Sequence, residues 1–308
     1  MRKKDIWLLI FVLIIVGSHY FNINIFSYIN EEFLYQVVSL EKNEVADIKP
    51  VRTSSKLKVY YINVGEAESI LIQNLDEYML IDAGNNNDGK KLVKFLKDLE
   101  VPDLKYVVST HPHEDHIGGM DNIVKEFKIK RMFMPDVTTN TPTFTEVLDE
   151  LEKKKVKITI PKNGDTYRLG NAEIIFIYSG TDSEDLNNSS IILKVTFGNN
   201  SFLFTGDTTS AVEDKILNED ISADVLKVAH HGSRYSSSEE FLKKVNPKYA
   251  VISVGKNNDY GHPHKETMRR LNKNKVKVYR TDYLGTILFE SNGNKIDIKT
   301  IKTDTDGG

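Results

Sequence analysis

Alternating patterns of apolar and polar residues predict strands and helices along most of the chain from Lys56 onwards. Apolar residues that alternate with polar ones indicate strands, and apolar residues repeated every three or four positions indicate helices. The predicted strands span residues 57–64, 69–73, 78–82, 105–109, 131–134, 173–178, 190–196, 201–204, 225–228, 249–253, 276–279 and 286–290. The predicted helices span residues 90–99, 120–127, 143–153, 211–217, 238–245 and 265–271. This succession predicts an α/β fold, an αββα sandwich in which two sheets pack face to face and helices cover them.

The N-terminal residues predict a membrane anchor. The basic residues 2–4 precede an unbroken apolar run from Ile6 to Val16, and further apolar residues extend it towards the ~20 positions that a span needs. A basic flank keeps the extreme N-terminus in the cytoplasm. We therefore predict an uncleaved signal-anchor over residues 1–24, in a single-pass protein of the cell membrane whose main domain is extracytoplasmic. A cleaved signal peptide, which would give a secreted domain, is the alternative.

Composition narrows the domain plan and the chemistry. Residues 25–55 predict a linker, residues 56–300 one globular domain, and residues 301–308 a frayed tail. The formal net charge of −3 does not show the strongly basic balance of nucleic-acid coat proteins. The chain has no cysteine, which excludes disulfides, thiolate ligands and cysteine nucleophiles. Any metal site must therefore use His, Asp, Glu or Asn, which favours Zn²⁺, Mn²⁺ or iron.

Seven of the eight histidines lie in three short clusters, and the densest runs from Thr110 to Gly119. His111 and His113 are two positions apart, so on extended backbone they point the same way and could share one ion. Asp115 and His116 begin the following turn and could face a second ion nearby. Solvated histidines in a surface loop are the alternative.

Three further strand ends carry polar residues. Asp207 follows the predicted strand 201–204, and one carboxylate bridging two ions holds them ~3.5–4 Å apart in two-metal sites. His230 and His231 follow strand 225–228, where one could bind metal while the other contacts substrate or acts as a general acid. His262 and His264 follow strand 249–253 and are either substrate-side groups or part of a surface turn.

Taken in order, these segments resemble the metallo-β-lactamase superfamily. The resemblance rests on Leu80-Ile81-Asp82-Ala83-Gly84, the His-x-His-x-Asp-His pattern at 111–116, Thr205-Gly206-Asp207 and Ala229-His230-His231-Gly232-Ser233. Within the superfamily, residues 56–293 look most similar to the extracytoplasmic hydrolase domain of the ComEC family of bacterial DNA-uptake channels. The softer motifs for that likeness are residues 188–190, 252–255 and 261–264.

The resemblance implies a role for each matching residue. The implied metal ligands are His111, His113, Asp115, His116, Asp207 and, in preference to its neighbour, His230. The implied catalytic groups are Asp115, His231 and His264, and the implied supporting or substrate-contacting groups are Asp82, Asn188, Ser233 and His262. The chain departs from the superfamily in having no histidine between residues 119 and 230, where Asn187 or Asn188 stands instead. This departure favours a single tightly held ion, or Mn²⁺ rather than Zn²⁺. A second departure is Asn63-Val64-Gly65-Glu66-Ala67-Glu68-Ser69, where related sequences run Asp-Val-Gly-Gln-Gly-Asp-Ser.

The resemblance also implies the reaction. Bound Zn²⁺ or Mn²⁺, as one or two ions, would lower the pKa of a water molecule from about 15.7 towards 7. We expect a membrane-anchored phosphodiesterase or nuclease acting on single-stranded DNA or another phosphodiester polymer. Four basic residues are expected to line the mouth of the site and contact phosphates: Arg234, Lys265, Arg269 and Arg270. The alternatives are hydrolysis of cell-wall phosphodiesters of the teichoic-acid type or of lactams or lactones, and a non-catalytic binding module in DNA uptake or envelope assembly.

Overall fold

The computed structural model describes residues 44–46 and 56–301, which form two sheets and their covering helices. The first sheet has nine strands in the order β1-β16-β15-β2-β3-β4-β5-β6-β7. Its strands are β1 Glu44–Ala46, β2 Leu57–Tyr61, β3 Ile70–Asn74, β4 Glu77–Ile81, β5 Leu104–Val108, β6 Ile129–Phe133, β7 Ile158–Thr159, β15 Thr286–Ser291 and β16 Ile296–Ile301. Strands β4 to β7 run parallel to one another, whereas β2 pairs with both of its neighbours in the antiparallel sense.

The second sheet has seven strands in the order β14-β13-β12-β11-β10-β9-β8. They are β8 Thr166–Leu169, β9 Ala172–Tyr178, β10 Ile192–Phe197, β11 Asn200–Phe204, β12 Val225–Lys227, β13 Tyr249–Ile252 and β14 Lys277–Arg280. Strands β11 to β14 are parallel. Both sheets therefore contain a parallel half, and the carboxyl ends of parallel strands meet at one edge.

Eight helices lie among the described residues. They are α1 Gly89–Asp98, α2 Glu114–Ile117, α3 Met120–Glu126, α4 Pro142–Lys154, α5 Ser210–Lys215, α6 Glu239–Val245, α7 Lys265–Lys273 and α8 Thr281–Leu284. The longest, α4, has Pro142 at its first position, and the Thr141 hydroxyl caps it by accepting a hydrogen bond from the Phe144 N–H at 3.3 Å. It ends where Lys155 takes a left-handed conformation.

The core has two layers because the central strands are apolar on both faces. On β2, Val59 and Tyr61 face the second sheet and pack with residues such as Phe204, whereas Tyr60 packs with the helices, including Phe95 of α1. A strand buried on both faces reads as a continuous apolar run rather than as an alternation. This arrangement confirms the predicted αββα sandwich.

The structure adds elements that the sequence pattern did not predict. Strand β1 lies inside the predicted linker 25–55 and pairs in parallel with β16, and neither strand was predicted. Helices α2 and α8 were also not predicted, since each has four residues and is too short to show a helical repeat. The predicted anchor over residues 1–24 lies outside the described residues. Within the described ranges, no helix is both long enough and apolar enough to cross a bilayer.

Candidate metal centre

The strand ends that carry polar residues converge at one edge of the sandwich. Strand β4 ends next to Asp82 and β5 runs into the segment 109–116, while β11 and β12 of the other sheet lead to Asp207 and to residues 229–233. Backbone hydrogen bonds hold the converging turns together: Ala83 N–H donates to His116 O at 2.7 Å, and His230 N–H donates to Gly206 O at 3.1 Å. Both sheets thus contribute to a single site.

Four side chains at this edge form a compact group that could hold a metal ion. One ligand atom from each lies within 4.8 Å of the others, and the residues are Asp115, His116, Asp207 and His231. Asp207 Oδ2 lies 3.3 Å from His116 Nε2 and 3.4 Å from His231 Nε2. Asp115 Oδ2 lies 3.6 Å and 3.2 Å from the same two nitrogens. We refer to these four residues together, the two carboxylates and the two imidazoles, as the carboxylate group.

Asp82 fixes the orientation of His116. Its Oδ2 lies 2.7 Å from His116 Nδ1, so that nitrogen donates its proton to the carboxylate and Nε2 is left to face Asp207. Asp82 is itself held by the backbone N–H and the hydroxyl of Thr110, at 2.8 and 2.6 Å. This is the arrangement in which a carboxylate behind a histidine sets the tautomer of a metal ligand.

A backbone carbonyl fixes His231 in the same way. His231 Nδ1 lies 2.8 Å from Ser253 O, at the end of β13, so Nε2 points towards the two carboxylates. Asp82, His230 and His231 all have positive φ, at 55°, 51° and 51°. Left-handed backbone at a residue other than glycine costs on the order of 1–3 kcal/mol. Three such residues at one site show that backbone strain is concentrated here.

Asp207 is positioned by close packing. Gly206 has φ +50°, and a Cβ there would approach the Ser190 and Thr110 side chains to between 3.0 and 3.1 Å. The Ser190 hydroxyl accepts a hydrogen bond from the Asp207 N–H at 3.1 Å. Glycine at 206 therefore lets this turn lie against the loop that carries Ser190 and against the segment that follows β5.

Within these four residues, the negative carboxylates and the positive imidazoles stabilise each other's charged forms. Burial alone would lower the pKa of His231, but the Asp207 and Asp115 carboxylates outweigh burial and raise this pKa to about 10. Burial opposes protonation of His116 as well, yet the carboxylates of Asp207, Asp115 and Asp82 hold its pKa well above the ordinary value. The imidazoles in turn keep the pKa of Asp207 well below its usual range despite burial.

The same group fits a divalent cation. Within residues 56–301, the buried atoms His116 Nε2 and Asp207 Oδ1 have no hydrogen-bond partner, although both belong to the group. Buried polar atoms are normally satisfied, so unpaired atoms on two members of the group fit the binding of a cation there. Two imidazole nitrogens and two carboxylates are donors that suit Zn²⁺ or Mn²⁺.

His111 and His113 form a second, smaller pair. His111 Nε2 lies 2.9 Å from His113 Nδ1, and the His111 ring centroid is 4.1 Å from that of His116. His111 is fully buried, and burial together with the neighbouring His116 lowers its pKa well below the ordinary value. The pair can offer two imidazole nitrogens to an ion, and we call it the imidazole pair.

Asn188, predicted as a supporting residue, and His230, predicted as a ligand, have other contacts. The Asn188 amide N–H₂ lies 3.3 Å from Asp185 Oδ2, and its Oδ1 accepts a hydrogen bond from the Thr209 hydroxyl at 2.7 Å. The neighbouring Asn187 Oδ1 is buried and unpaired among the described residues. His230, which the sequence analysis preferred as a ligand, has its Nε2 3.9 Å from Asp207 Oδ2, whereas His231 is the one that lies inside the carboxylate group.

The predicted substrate-side residues surround the group. The His262 ring stacks on His231, with centroids 6.2 Å apart and planes at 24°, and burial with the charge of His231 lowers the pKa of His262 to about 4. His264 Nδ1 accepts a hydrogen bond from the Arg234 N–H at 3.1 Å, so the proton of the neutral ring is on Nε2. The Ser233 hydroxyl accepts a hydrogen bond from the Tyr235 N–H at 3.4 Å.

The four basic residues behave differently from one another. Arg270 is committed to structure, because its Nη2 donates to Arg234 O at 3.0 Å and to Ser236 O at 2.8 Å. Arg234 lies 3.5 Å from the Glu266 carboxylate, and Lys265 and Arg269 are exposed. Arg270 therefore shapes the loop that follows His231 rather than lining the mouth.

Sequence reasoning missed two acidic residues near the site. Glu68 forms a fully buried ion pair with Lys227 across the two sheets, and burial raises the Glu68 pKa even though Lys227 opposes that effect. Glu66 Oε1 lies 3.8 Å from His262 Nδ1, and within the described chain both buried atoms have no hydrogen-bond partner. The signal was present, since both glutamates belong to the segment 63–69 that departs from the related sequences.

Comparison with known proteins agrees with this geometry. The family profile described as "Metallo-beta-lactamase superfamily" matches residues 62–256. The chain is 33% identical over 257 residues to ComE operon protein 3 of Bacillus subtilis, covering 77% of this chain and 33% of that protein. It is 27% identical over 234 residues to competence protein ComA of Neisseria gonorrhoeae, covering 74% and 31%. The chain thus spans about a third of the length of these curated relatives.

A solved structure shows the same fold. The metallo-beta-lactamase fold protein YhfI from Bacillus subtilis superposes with a TM-score of 0.53 at 14% identity, over 77% of this chain and 100% of that one. The profile match covers well over half of the chain, and the matched segment contains the whole carboxylate group and the imidazole pair. The chain therefore belongs to the metallo-β-lactamase superfamily of metal-dependent hydrolases, and its relatives include bacterial competence proteins.

Proposed function

We propose that this chain is a metal-dependent phosphodiesterase that cleaves single-stranded DNA on the outer side of the cell membrane, to which residues 1–24 anchor it. The observation that carries the proposal is the carboxylate group, in which two carboxylates and two imidazoles from both sheets face one point. Its membership of a hydrolase superfamily and its likeness to competence proteins support a nucleic-acid substrate. Fold by itself does not select a substrate in a superfamily with many activities.

The chain's own residues would divide the work. A divalent ion held by the carboxylate group would acidify a water molecule and draw charge from the scissile phosphate. Asp82 and Ser253 O hold His116 and His231 in the orientation needed to bind it. His264 has its proton on Nε2, away from Arg234, and so can donate to a departing oxygen. Arg234 and the exposed Lys265 would supply positive charge for contacts with phosphate.

The donor set also supports a proposal on the metal. The carboxylate group offers four donors, whereas the imidazole pair offers two, and the extra histidine typical of the superfamily is absent. We therefore expect one tightly held ion in the carboxylate group, with Mn²⁺ or Zn²⁺ as the candidates, and weaker binding of a second ion by His111 and His113.

The test uses the detergent-solubilised full chain and an end-labelled single-stranded oligonucleotide with added Mn²⁺ or Zn²⁺. Cleavage is expected with metal and not with EDTA, and it should be lost in Asp207→Asn. Asp98→Asn makes the same chemical change on the exposed face of α1 and should cleave normally. Hydrolysis of poly(glycerol phosphate) or of a lactam, with the oligonucleotide left intact, would overturn the nuclease proposal.

A further inference from the structure

Two exposed tyrosines lie on the loops that bring histidines to the metal centre. Tyr235 is 68% exposed and follows the segment that carries His231, and Tyr260 is 71% exposed and precedes His262. Only six large apolar side chains are exposed within residues 56–301, and these two are the most exposed of them. Tyrosine is enriched where proteins bind ligands because its ring is rigid and amphipathic.

Tyr260 is the outer member of a stack that leads to the ligands. Its ring lies parallel to that of His262, with centroids 5.7 Å apart and planes at 17°. The His262 ring in turn stacks on His231, a member of the carboxylate group. The inner end of the stack is therefore His231, a candidate metal ligand, and the outer end is the Tyr260 ring, which is exposed to solvent.

Tyr235 is held by its backbone while its ring stays exposed. Its N–H donates to Ser233 Oγ at 3.4 Å, and its carbonyl accepts a hydrogen bond from the Ser210 N–H at 2.8 Å. The preceding residue, Arg234, is tied through its N–H to His264, whose ring lies 4.8 Å from His262. The hydrogen bond between Arg234 and His264 thus connects the two loops that carry the tyrosines.

We propose that Tyr235 and Tyr260 form an aromatic rim that binds single-stranded nucleic acid by stacking on its bases beside the metal centre. This inference rests on the proposed phosphodiesterase function and names its substrate class more narrowly. Exposed rings on loops that also carry a basic residue, Arg234, match a polymer that alternates flat bases with phosphates. A polymer of glycerol phosphate has no ring to stack on, and so would use Arg234 and Lys265 but not the tyrosines.

The test measures binding by fluorescence anisotropy of labelled oligonucleotides to the full chain in EDTA, where a metal-dependent enzyme cannot cleave. The two ligands are a twelve-nucleotide thymidine strand and an abasic strand of equal length and charge. We expect the thymidine strand to bind at least roughly tenfold more tightly, since stacking contributes about that factor per base. The variant Tyr235→Ala/Tyr260→Ala should lose this preference and keep its affinity for the abasic strand.

Two controls separate stacking from folding. Tyr235→Phe/Tyr260→Phe retains both rings and should restore the preference for bases. Tyr283→Ala removes an exposed tyrosine of α8 and should leave the preference unchanged. Equal binding of the thymidine and abasic strands by the wild-type chain would overturn the rim. An equal loss of affinity for both strands in the alanine variant would also overturn it. The same holds if poly(glycerol phosphate) displaces the thymidine strand from the wild-type chain but not from the alanine variant.

The outcome distinguishes this inference from the function on which it rests. Base-dependent binding in EDTA without cleavage on addition of Mn²⁺ or Zn²⁺ would support the rim and contradict the phosphodiesterase. Cleavage of both strands at equal rates, with no effect of the tyrosine variants on affinity or rate, would support the phosphodiesterase and contradict the rim.

Discussion

The two groups of candidate metal ligands are neighbours, but they differ in composition and in charge. The carboxylate group combines two acids and two imidazoles drawn from both sheets, and each imidazole is fixed from behind. The imidazole pair comes from one turn after β5 and, among the described residues, has no acid of its own within ion-pair distance. The carboxylate group thus offers four donor atoms to a cation, and the imidazole pair offers two.

Electrostatics follows the same division. Nearby carboxylates outweigh burial and raise the pKa of His116 and His231, whereas burial and the charge of His116 lower the pKa of His111. Negative charge thus collects on one side of a short row of imidazoles. A divalent cation should bind first at Asp115, His116, Asp207 and His231, where it would displace protons from the two imidazoles, since metal binding and protonation compete for the same nitrogen atoms.

The largest effect is expected from Asp207→Asn. The change removes the one carboxylate that lies within 3.4 Å of both group imidazoles, so the tightly bound ion should be lost. Loss of metal assistance removes several kcal/mol of stabilisation of the transition state, which is on the order of 10³-fold in rate. Metal content and the rate of oligonucleotide cleavage are the measurements. A variant that keeps one ion and normal activity would contradict the assignment.

Asp82→Asn should have the next largest effect. The amide can still accept a hydrogen bond from the Thr110 N–H, but it no longer holds a charge against His116 Nδ1. Removal of such a supporting carboxylate typically lowers metal affinity by roughly 10–100-fold. Competition with a chromophoric chelator gives the affinity. An unchanged dissociation constant would show that His116 does not depend on Asp82.

The pH dependence of the metal-free protein provides a third test. Because the His231 pKa rises to about 10 on folding, from roughly 6.5 in the unfolded chain, protonated His231 stabilises the metal-free fold fully below pH 6.5. That contribution is lost as the pH rises through 10. The melting temperature in EDTA should therefore fall between about pH 6.5 and pH 10, and the fall should be smaller in His231→Gln. Parallel curves for the two proteins would contradict this account.

His113→Ala should affect the imidazole pair and leave the carboxylate group in place. The alanine chain is expected to keep one tightly bound ion, with an affinity within about tenfold of the wild-type value, since His113 is not one of the four ligands. Metal titration followed by calorimetry measures both number and affinity. Complete loss of binding would show that the two groups hold one ion jointly.

The smallest effect, and a gain, is expected from Asn187→His. Asn187 or Asn188 is expected where most members of the superfamily carry a further histidine, and Asn187 Oδ1 is the atom that is buried and unpaired within the described chain. A third imidazole should strengthen binding of a second ion. Asn188→His is the matched control, because Asn188 is already held by Asp185 and Thr209. A gain in the control and none at 187 would reverse the roles of the two asparagines.

The sequence predicted the sandwich well because long buried strands and amphipathic helices have clear periods. It did not predict β1 or α8, which have three and four residues, and β1 also depends on a partner distant in the chain. That Asp115, His116 and Asp207 come together was predictable, because strand ends in parallel sheets meet at one edge. Which of His230 and His231 would lie in the carboxylate group could not be predicted, since both take left-handed backbone that no pattern of alternation describes. The Glu68–Lys227 pair joins two sheets, which local sequence cannot reveal.

Anomalous diffraction from crystals of the protein grown with Mn²⁺ or Zn²⁺, recorded at the absorption edge of the metal, would locate the bound ion among these side chains. We expect the strongest peak between the side chains of Asp115, His116, Asp207 and His231, with any weaker peak beside His111 and His113. A strongest peak at His111 and His113, or none within bonding distance of Asp207, would contradict this expectation.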